Sequence, residues 1–127
     1  MYKVDIVNTS DYSFKATSDG HEFYIDATKD NGPSPSSLFL ASLGSCIGVY
    51  IRKYLDGVKI KSDKFTIKVE SEFAKERPIS FKEIKVKINL EGIDIDEKRK
   101  KSLLHFVKNC PIHGTISSKP VVDIEIP

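Results

Sequence analysis

The sequence predicts an α+β fold, and three observations predict it. Short segments of alternating apolar and polar residues recur at the start, middle and end of the chain. A long segment apolar on every side separates the first group from the second. A second helical segment, with apolar residues at i, i+3, i+4 and i+7, precedes the last strand-like stretch. The order reads three strands, a buried central helix, two strands, a helix and a strand. At 127 residues the chain is long enough for one domain with one core, so residues 1–127 are read as a single domain.

Each element has a local reason. Residues 2–7 put Tyr2, Val4 and Ile6 on one face; residues 12–17 do the same with Tyr12, Phe14 and Ala16, and residues 21–26 with Phe23 and Ile25. Asp19-Gly20 between the last two is a hairpin signal. From Asn31 to Ile51 no side chain is charged. Ser34 followed by Pro35 marks a helix start, with serine as N-cap and proline at the first helical position. That helix carries Leu38, Phe39, Leu40, Leu43, Cys46, Ile47, Val49, Tyr50 and Ile51 around its whole circumference and stops near Gly57. Ala41, Gly44 and Gly48 form a small-residue stripe where another backbone is expected to approach. Residues 64–70 turn Phe65, Ile67 and Val69 inward, and residues 81–90 turn Ile84, Val86, Ile88 and Leu90 inward. A second helix is expected from Asp94, with Glu97 completing a capping box. Its apolar face is Leu103, Phe106, Val107 and Cys110, and Pro111 disfavours helix at Cys110 itself. Residues 120–126 read as a final strand. A sheet this small has difficulty covering a helix apolar all round, so the chain is expected to form a homodimer.

Composition narrows the function classes. Hydrophobic residues are 39% and charged residues 30%, a globular balance. Lys plus Arg is 20 against 18 for Asp plus Glu, leaving +2, which argues against a protein built to hold nucleic acid or an anionic membrane. The opening Met1-Tyr2-Lys3-Val4-Asp5 is unlike a secretory leader, and no stretch reads as a membrane span. The expected compartment is therefore the cytoplasm, where Cys46 and Cys110 are reduced thiols.

Those two cysteines carry the chemistry. Cys46 lies mid-helix among Ser42, Gly44, Ser45 and Gly48, small residues that leave room over a sulfur. Cys110 lies on the core-facing side of the second helical segment. Two buried cysteines ordinarily act as small hydrophobes. Two that meet in an apolar cleft suit attack on a hydrophobic peroxide: one thiolate becomes a sulfenic acid and the other condenses with it to a disulfide. Burial alone raises a thiol pKa, so a cation or hydrogen-bond donor is required nearby.

The stretch from Gly32 through Pro33-Ser34-Pro35 to Leu38, Ala41 and Cys46, with Asn109-Cys110-Pro111-Ile112-His113 later, resembles the OsmC/Ohr family, as does the Glu76-Arg77-Pro78…Phe81 segment. The resemblance covers essentially the whole chain. It implies an intertwined homodimer with sites at the subunit interface and thiol-dependent reduction of organic hydroperoxides; no cofactor or metal is expected. It makes Cys46 the peroxidatic and Cys110 the resolving cysteine, with electrons from a dithiol reductant, lipoyl or thioredoxin-like. The chain departs from the family's peroxidase branch twice. Ser36 stands where that branch has a glutamate, and no arginine precedes Arg52. Arg77 is one substitute activator, Lys15 and His21 are weaker ones, and a solvated turn is the commoner role for Arg77.

Other candidates carry less. His113 is placed to shuttle protons beside Cys110, although a loop histidine is more often plain surface; His105 is expected to face solvent. A zinc site from Cys46, Cys110 and His113 lacks paired ligand spacing. Asn31-Gly32-Pro33 precedes a helix start, an anion-binding arrangement without a phosphate-loop motif. Lys98-Arg99-Lys100-Lys101 reads as a solvated helix face. Two rival readings remain: a non-catalytic dimeric module that binds small apolar molecules, and a cysteine redox sensor with a protein partner.

Overall fold

Alternation and turn chemistry build the N-terminal part of the fold. The computed structural model describes residues 1–62 and 64–127. Contacts divide the chain into two compact units, Met1–Ala41 and Ser42–Pro127. In the first unit, β1 (Asp5–Ser10), β2 (Ser13–Ser18) and β3 (His21–Asp26) form an antiparallel sheet in the order β1-β2-β3. Asp19 and Gly20 both adopt positive φ, the left-handed pair that closes a two-residue hairpin and sets Ser18 opposite His21. β1 begins at Asp5 rather than at residue 2. Its partner β2 runs into the turn at Ser18, so the residues before Asp5 have no ladder to join. Between β3 and the first helix, Asp26 organises the loop. Its carboxylate accepts from the Thr28 N–H at 2.8 Å, the Thr28 hydroxyl at 2.7 Å, the Asn31 N–H at 3.1 Å and the Asn31 side chain at 3.2 Å.

Helix α1 (Pro35–Gly57) starts as its sequence predicts: the Ser34 hydroxyl caps it by accepting from the Ser37 N–H at 3.2 Å. In the second unit, β4 (Thr66–Phe73) and β5 (Phe81–Asn89) form an antiparallel pair, with Val69 opposite Val86 and Ile67 opposite Ile88. Helix α2 (Glu97–Phe106), one 3-10 turn (Val107–Asn109) and α3 (Pro111–Ser118) follow. The core is Leu43, Ile47, Ile51 and Leu55 of α1 against Leu103, Val107 and Cys110, with Ile67, Ile84, Val86 and Ile88 of the sheet packed on it. Arg52 turns back from α1 to donate to the Ser62 hydroxyl at 2.7 Å and lies 5.0 Å over the Phe65 ring.

Five expectations are corrected. First, α1 is buried along one stripe at i, i+4, i+8 and i+12, while Phe39 and Val49 stay 43% and 52% exposed. Within the second unit, the two-stranded sheet and the segment Leu103–Cys110 pack against that stripe. Second, β4 side chains rather than a backbone fill the small-residue stripe: a Cβ on Gly44 would meet Val69 Cγ2 at 2.9 Å, and one on Gly48 would meet Ile67 Cδ1 at 3.2 Å. Third, α2 is capped by Asp96, whose carboxylate accepts from the Arg99 N–H at 2.7 Å; Glu97 is already helical and pairs with Lys100 at 3.2 Å. Asp94 therefore has no capping role, because the extended residue next to the first turn is Asp96. Fourth, residues 120–126 form no strand; Val121, Val122, Ile124 and Ile126 are 77–97% exposed. An alternating segment forms a strand only when a sheet edge accepts it. Fifth, by length and composition alone α1 is long and apolar enough to cross a membrane, where no stretch was expected to be. Its Leu43–Leu55 stripe is the core of the second unit.

Candidate functional site

The second unit brings the two cysteines together. Cys46 sits one position before Ile47 on α1, at the margin of the buried stripe, and is half-buried. Cys110 is fully buried. It lies where Pro111 ends one helical segment and begins another: its ψ of 127° is the extended value expected before proline, and Pro111 takes the first position of α3. The sequence reading spent Pro111 as a stop signal and missed that the same residue starts α3. Cys110 thereby becomes the N-cap of that helix. Its Sγ accepts from the His113 N–H at 3.4 Å.

The Cys46 thiol hydrogen-bonds to the Cys110 side chain, and the Ile112 N–H hydrogen-bonds to Cys46. The two sulfurs thus share one small volume under the first turn of α3. Burial pushes the Cys46 thiol above its ordinary value, and the Cys110 sulfur beside it pushes the same way; the Ile112 N–H and the charge of Lys53 on α1 pull against them. Lys53 stands 4.8 Å over the Tyr50 ring. Ile112 and Lys53 were not singled out in the sequence; Lys53 lies seven residues after Cys46, two turns along the same helix and so on the same side. Both cysteines are free thiols, and Cys46 is the more accessible of the two.

The remaining candidates have other surroundings. Arg77 is exposed in the loop between β4 and β5. Lys15, in the other unit, pairs with Glu22 at 3.9 Å, and His21 is exposed on β3. His113 comes to the pair through its backbone, as α3 rather than as a loop residue. His105 is exposed. Arg99 and Lys100 pair with Asp96 and Glu97 of their own helix. Among the described residues no group of three or more His, Cys, Asp or Glu side chains is arranged to hold a metal ion. The Asn31 N–H, a donor of the suggested anion site, is engaged by Asp26, and Gly32 is pressed against the Tyr24 carbonyl. The hydrogen bonds from Thr28, and then those from Asn31, hold the Asp26 carboxyl below the usual carboxylate range. A cleft of about 600 Å³ lined by Ile88, Leu90, Ile93, Lys100, Leu103 and Leu104 contains neither cysteine.

The profile of the OsmC-like protein family matches residues 28–125, which include both cysteines. No curated protein matches the chain. Among solved structures, an OsmC-like protein from Mycoplasma pneumoniae superposes with a TM-score of 0.80 at 22% identity, covering 92% of this chain and 87% of that one. The organic hydroperoxide resistance protein OhrB of Bacillus subtilis matches with a TM-score of 0.58 at 22% identity, covering 91% and 90%. An organic hydroperoxide resistance protein from Legionella pneumophila matches at 0.64 with 16% identity, covering 91% and 88%. At these identities the likeness is one of fold.

Proposed function

Because this chain belongs to the OsmC-like family, we propose that it reduces organic hydroperoxides with Cys46 and Cys110, in defence against peroxides. The single observation that carries this reading is the contact of the two thiols beneath α3. Substrate access makes Cys46 the attacking sulfur: it is half-buried, whereas Cys110 is fully enclosed. The Cys46 thiolate attacks the terminal peroxide oxygen, the O–O bond breaks, and an alcohol leaves. Cys110 then displaces water from the Cys46 sulfenic acid to form the disulfide. A dithiol, lipoyl or thioredoxin-like, returns both sulfurs to thiols. A cytoplasmic setting suits a site that must start reduced. The fold neighbours from Bacillus subtilis and Legionella pneumophila, both organic hydroperoxide resistance proteins, support the substrate class.

We also assign the working form as a homodimer. The exposed Phe39 and Val49 on α1 and the unpaired 120–126 segment are apolar surfaces that a second copy of this chain would cover. Removing residues 120–127 is expected to convert dimer to monomer in sedimentation; an unchanged mass rejects the assignment.

Incubation of the reduced protein with cumene hydroperoxide and a dithiol tests the chemistry. The wild type is expected to consume peroxide, Cys46→Ser to consume none, and Cys110→Ser to stop at a Cys46 sulfenic acid. Consumption no greater than that of Cys46→Ser rejects the reading. The raised Cys46 thiol favours the rival, a non-catalytic module for small apolar molecules, under which hydroperoxide drives no Cys46–Cys110 disulfide.

A further inference from the structure

A thiol pair in a greasy setting needs something to hold the charge of a thiolate, and the arginine and glutamate expected for this are missing from their places in the sequence. The first turn of α3 offers an alternative. Pro111 at its start has no N–H. The next two N–H groups, of Ile112 and His113, reach Cys46 and Cys110 respectively, and the third, of Gly114, bonds the Cys110 carbonyl at 3.0 Å. Two of the three donors of that turn therefore end on sulfur. Backbone N–H groups at a helix start favour negative charge.

We propose that the N-terminus of α3 holds one negative charge shared by the cysteine pair, resting on Cys110, and that Cys110 is the base that takes the Cys46 proton. This deepens the hydroperoxide reading and rests on it. Geometry favours Cys110 as the resting anion, since the His113 N–H at the start of α3 donates to it at 3.4 Å. Burial, then the neighbouring sulfur, push the Cys46 thiol up; Cys110 is buried more deeply still, and the His113 N–H is the donor set against that burial.

The cycle closes on that assignment. The pair enters having lost one proton to solvent. The Cys46 proton passes to the Cys110 sulfur, and the Cys46 thiolate attacks the terminal oxygen of the hydroperoxide. The S–O bond forms, the O–O bond breaks, and the alkoxide leaves with the proton of Cys110 as alcohol. Cys110, again a thiolate, attacks the Cys46 sulfur, and hydroxide departs to be protonated by solvent. The two thiols have been oxidised by two electrons and the peroxide reduced by two.

Among the described residues of the second unit, the charged and titratable groups around the pair are few. On α1 they are Lys53, with Tyr50 and Tyr54. Lys108 on the 3-10 turn is exposed, and on α3 there is the half-buried His113. β5 turns Ile84, Val86 and Ile88 to this core and leaves Lys85 and Lys87 exposed; His105 on α2 is exposed too.

The test reads thiolate absorbance against pH in the absence of peroxide, on full-length protein. Cys46→Ser is expected to ionise at lower pH than Cys110→Ser; equal midpoints, or the reverse order, overturn the proposal. In the Cys46→Ser background, His113→Pro deletes the N–H and is expected to raise the midpoint, whereas His113→Ala keeps the N–H and leaves it in place. A midpoint unmoved by His113→Pro, with helix content retained, overturns the role of α3. For the base, one turnover of Cys46 to sulfenic acid is followed at neutral pH. Cys110→Ser is expected to slow it by roughly tenfold or more, with the loss recovered at higher pH; a first step as fast as wild type at every pH assigns Cys110 to disulfide formation alone. If the titrations behave as expected but no variant or wild type consumes hydroperoxide, the enzymatic reading fails and the placement of charge stands.

Discussion

Ile51→Ala and Val49→Ala, two residues apart on α1, are expected to have opposite outcomes. Ile51 is fully buried in the core of the second unit. The substitution removes three carbons, about 2.4 kcal/mol of transfer free energy at about 0.8 kcal/mol per methylene, and a cavity that fails to collapse takes the loss toward about 4 kcal/mol. That is a large part of the roughly 5–15 kcal/mol by which a domain is stable. Val49 is 52% exposed, so within one chain its truncation loses little burial. Alanine also has the better helix propensity by up to about 0.5 kcal/mol, which makes Val49→Ala neutral or slightly stabilising in an isolated chain. Urea unfolding at several protein concentrations reads both. Ile51→Ala should lower the midpoint at unchanged slope. A Val49→Ala loss above about 1 kcal/mol that depends on protein concentration would place that face under a second copy. An Ile51→Ala loss below about 1 kcal/mol would refute the buried stripe on which the arrangement of α1 is argued.

Three further outcomes follow from particular contacts. Asp96→Ala removes the cap of α2 and should cost about 1 kcal/mol, with faster amide exchange confined to its first turn. Gly44→Ala sets a Cβ against Val69 Cγ2; the overpacking of about 1–3 kcal/mol should outweigh the helix gain of about 1 kcal/mol, and Val69→Ala in the same chain should restore the lost stability, which a double-mutant cycle reads directly. Asp26 has a folded pKa below its ordinary 3.8, so its stabilisation is present above that value and is lost as pH falls through it toward the lower folded one; Asp26→Asn should flatten the acid limb of the stability curve.

Much of the fold was legible because it depends on short-range rules. Alternation located β4 and β5, Asp19-Gly20 located the β2–β3 hairpin, and Ser34-Pro35 located the start of α1, since each signal is a dihedral or hydrogen-bond requirement met within a few residues. The face Leu103, Val107, Cys110 was legible as well, for helical spacing persists through the 3-10 turn. The cap of α2 was misplaced because Asp94 and Asp96 satisfy the same local pattern, and only the extended backbone at Asp96 decides between them. The tail from residue 120 was misread because alternation announces a capacity to pair, while pairing itself requires an edge.

By itself the sequence determined which residues are chemically able to act: two cysteines, one inside the first helical segment and one at the end of the second, and no arginine or glutamate where a thiolate would ordinarily find them. Only the tertiary structure decided that the sulfurs touch and that Pro111, read as a stop, also begins a helix whose N–H groups point at both. The reason is that a thiol's reactivity depends on its nearest charges and donors, and for Cys46 two of these, Cys110 and the Ile112 N–H, come from residues 64 and 66 positions away, brought there by the packing of α1 against the segment that ends at Cys110.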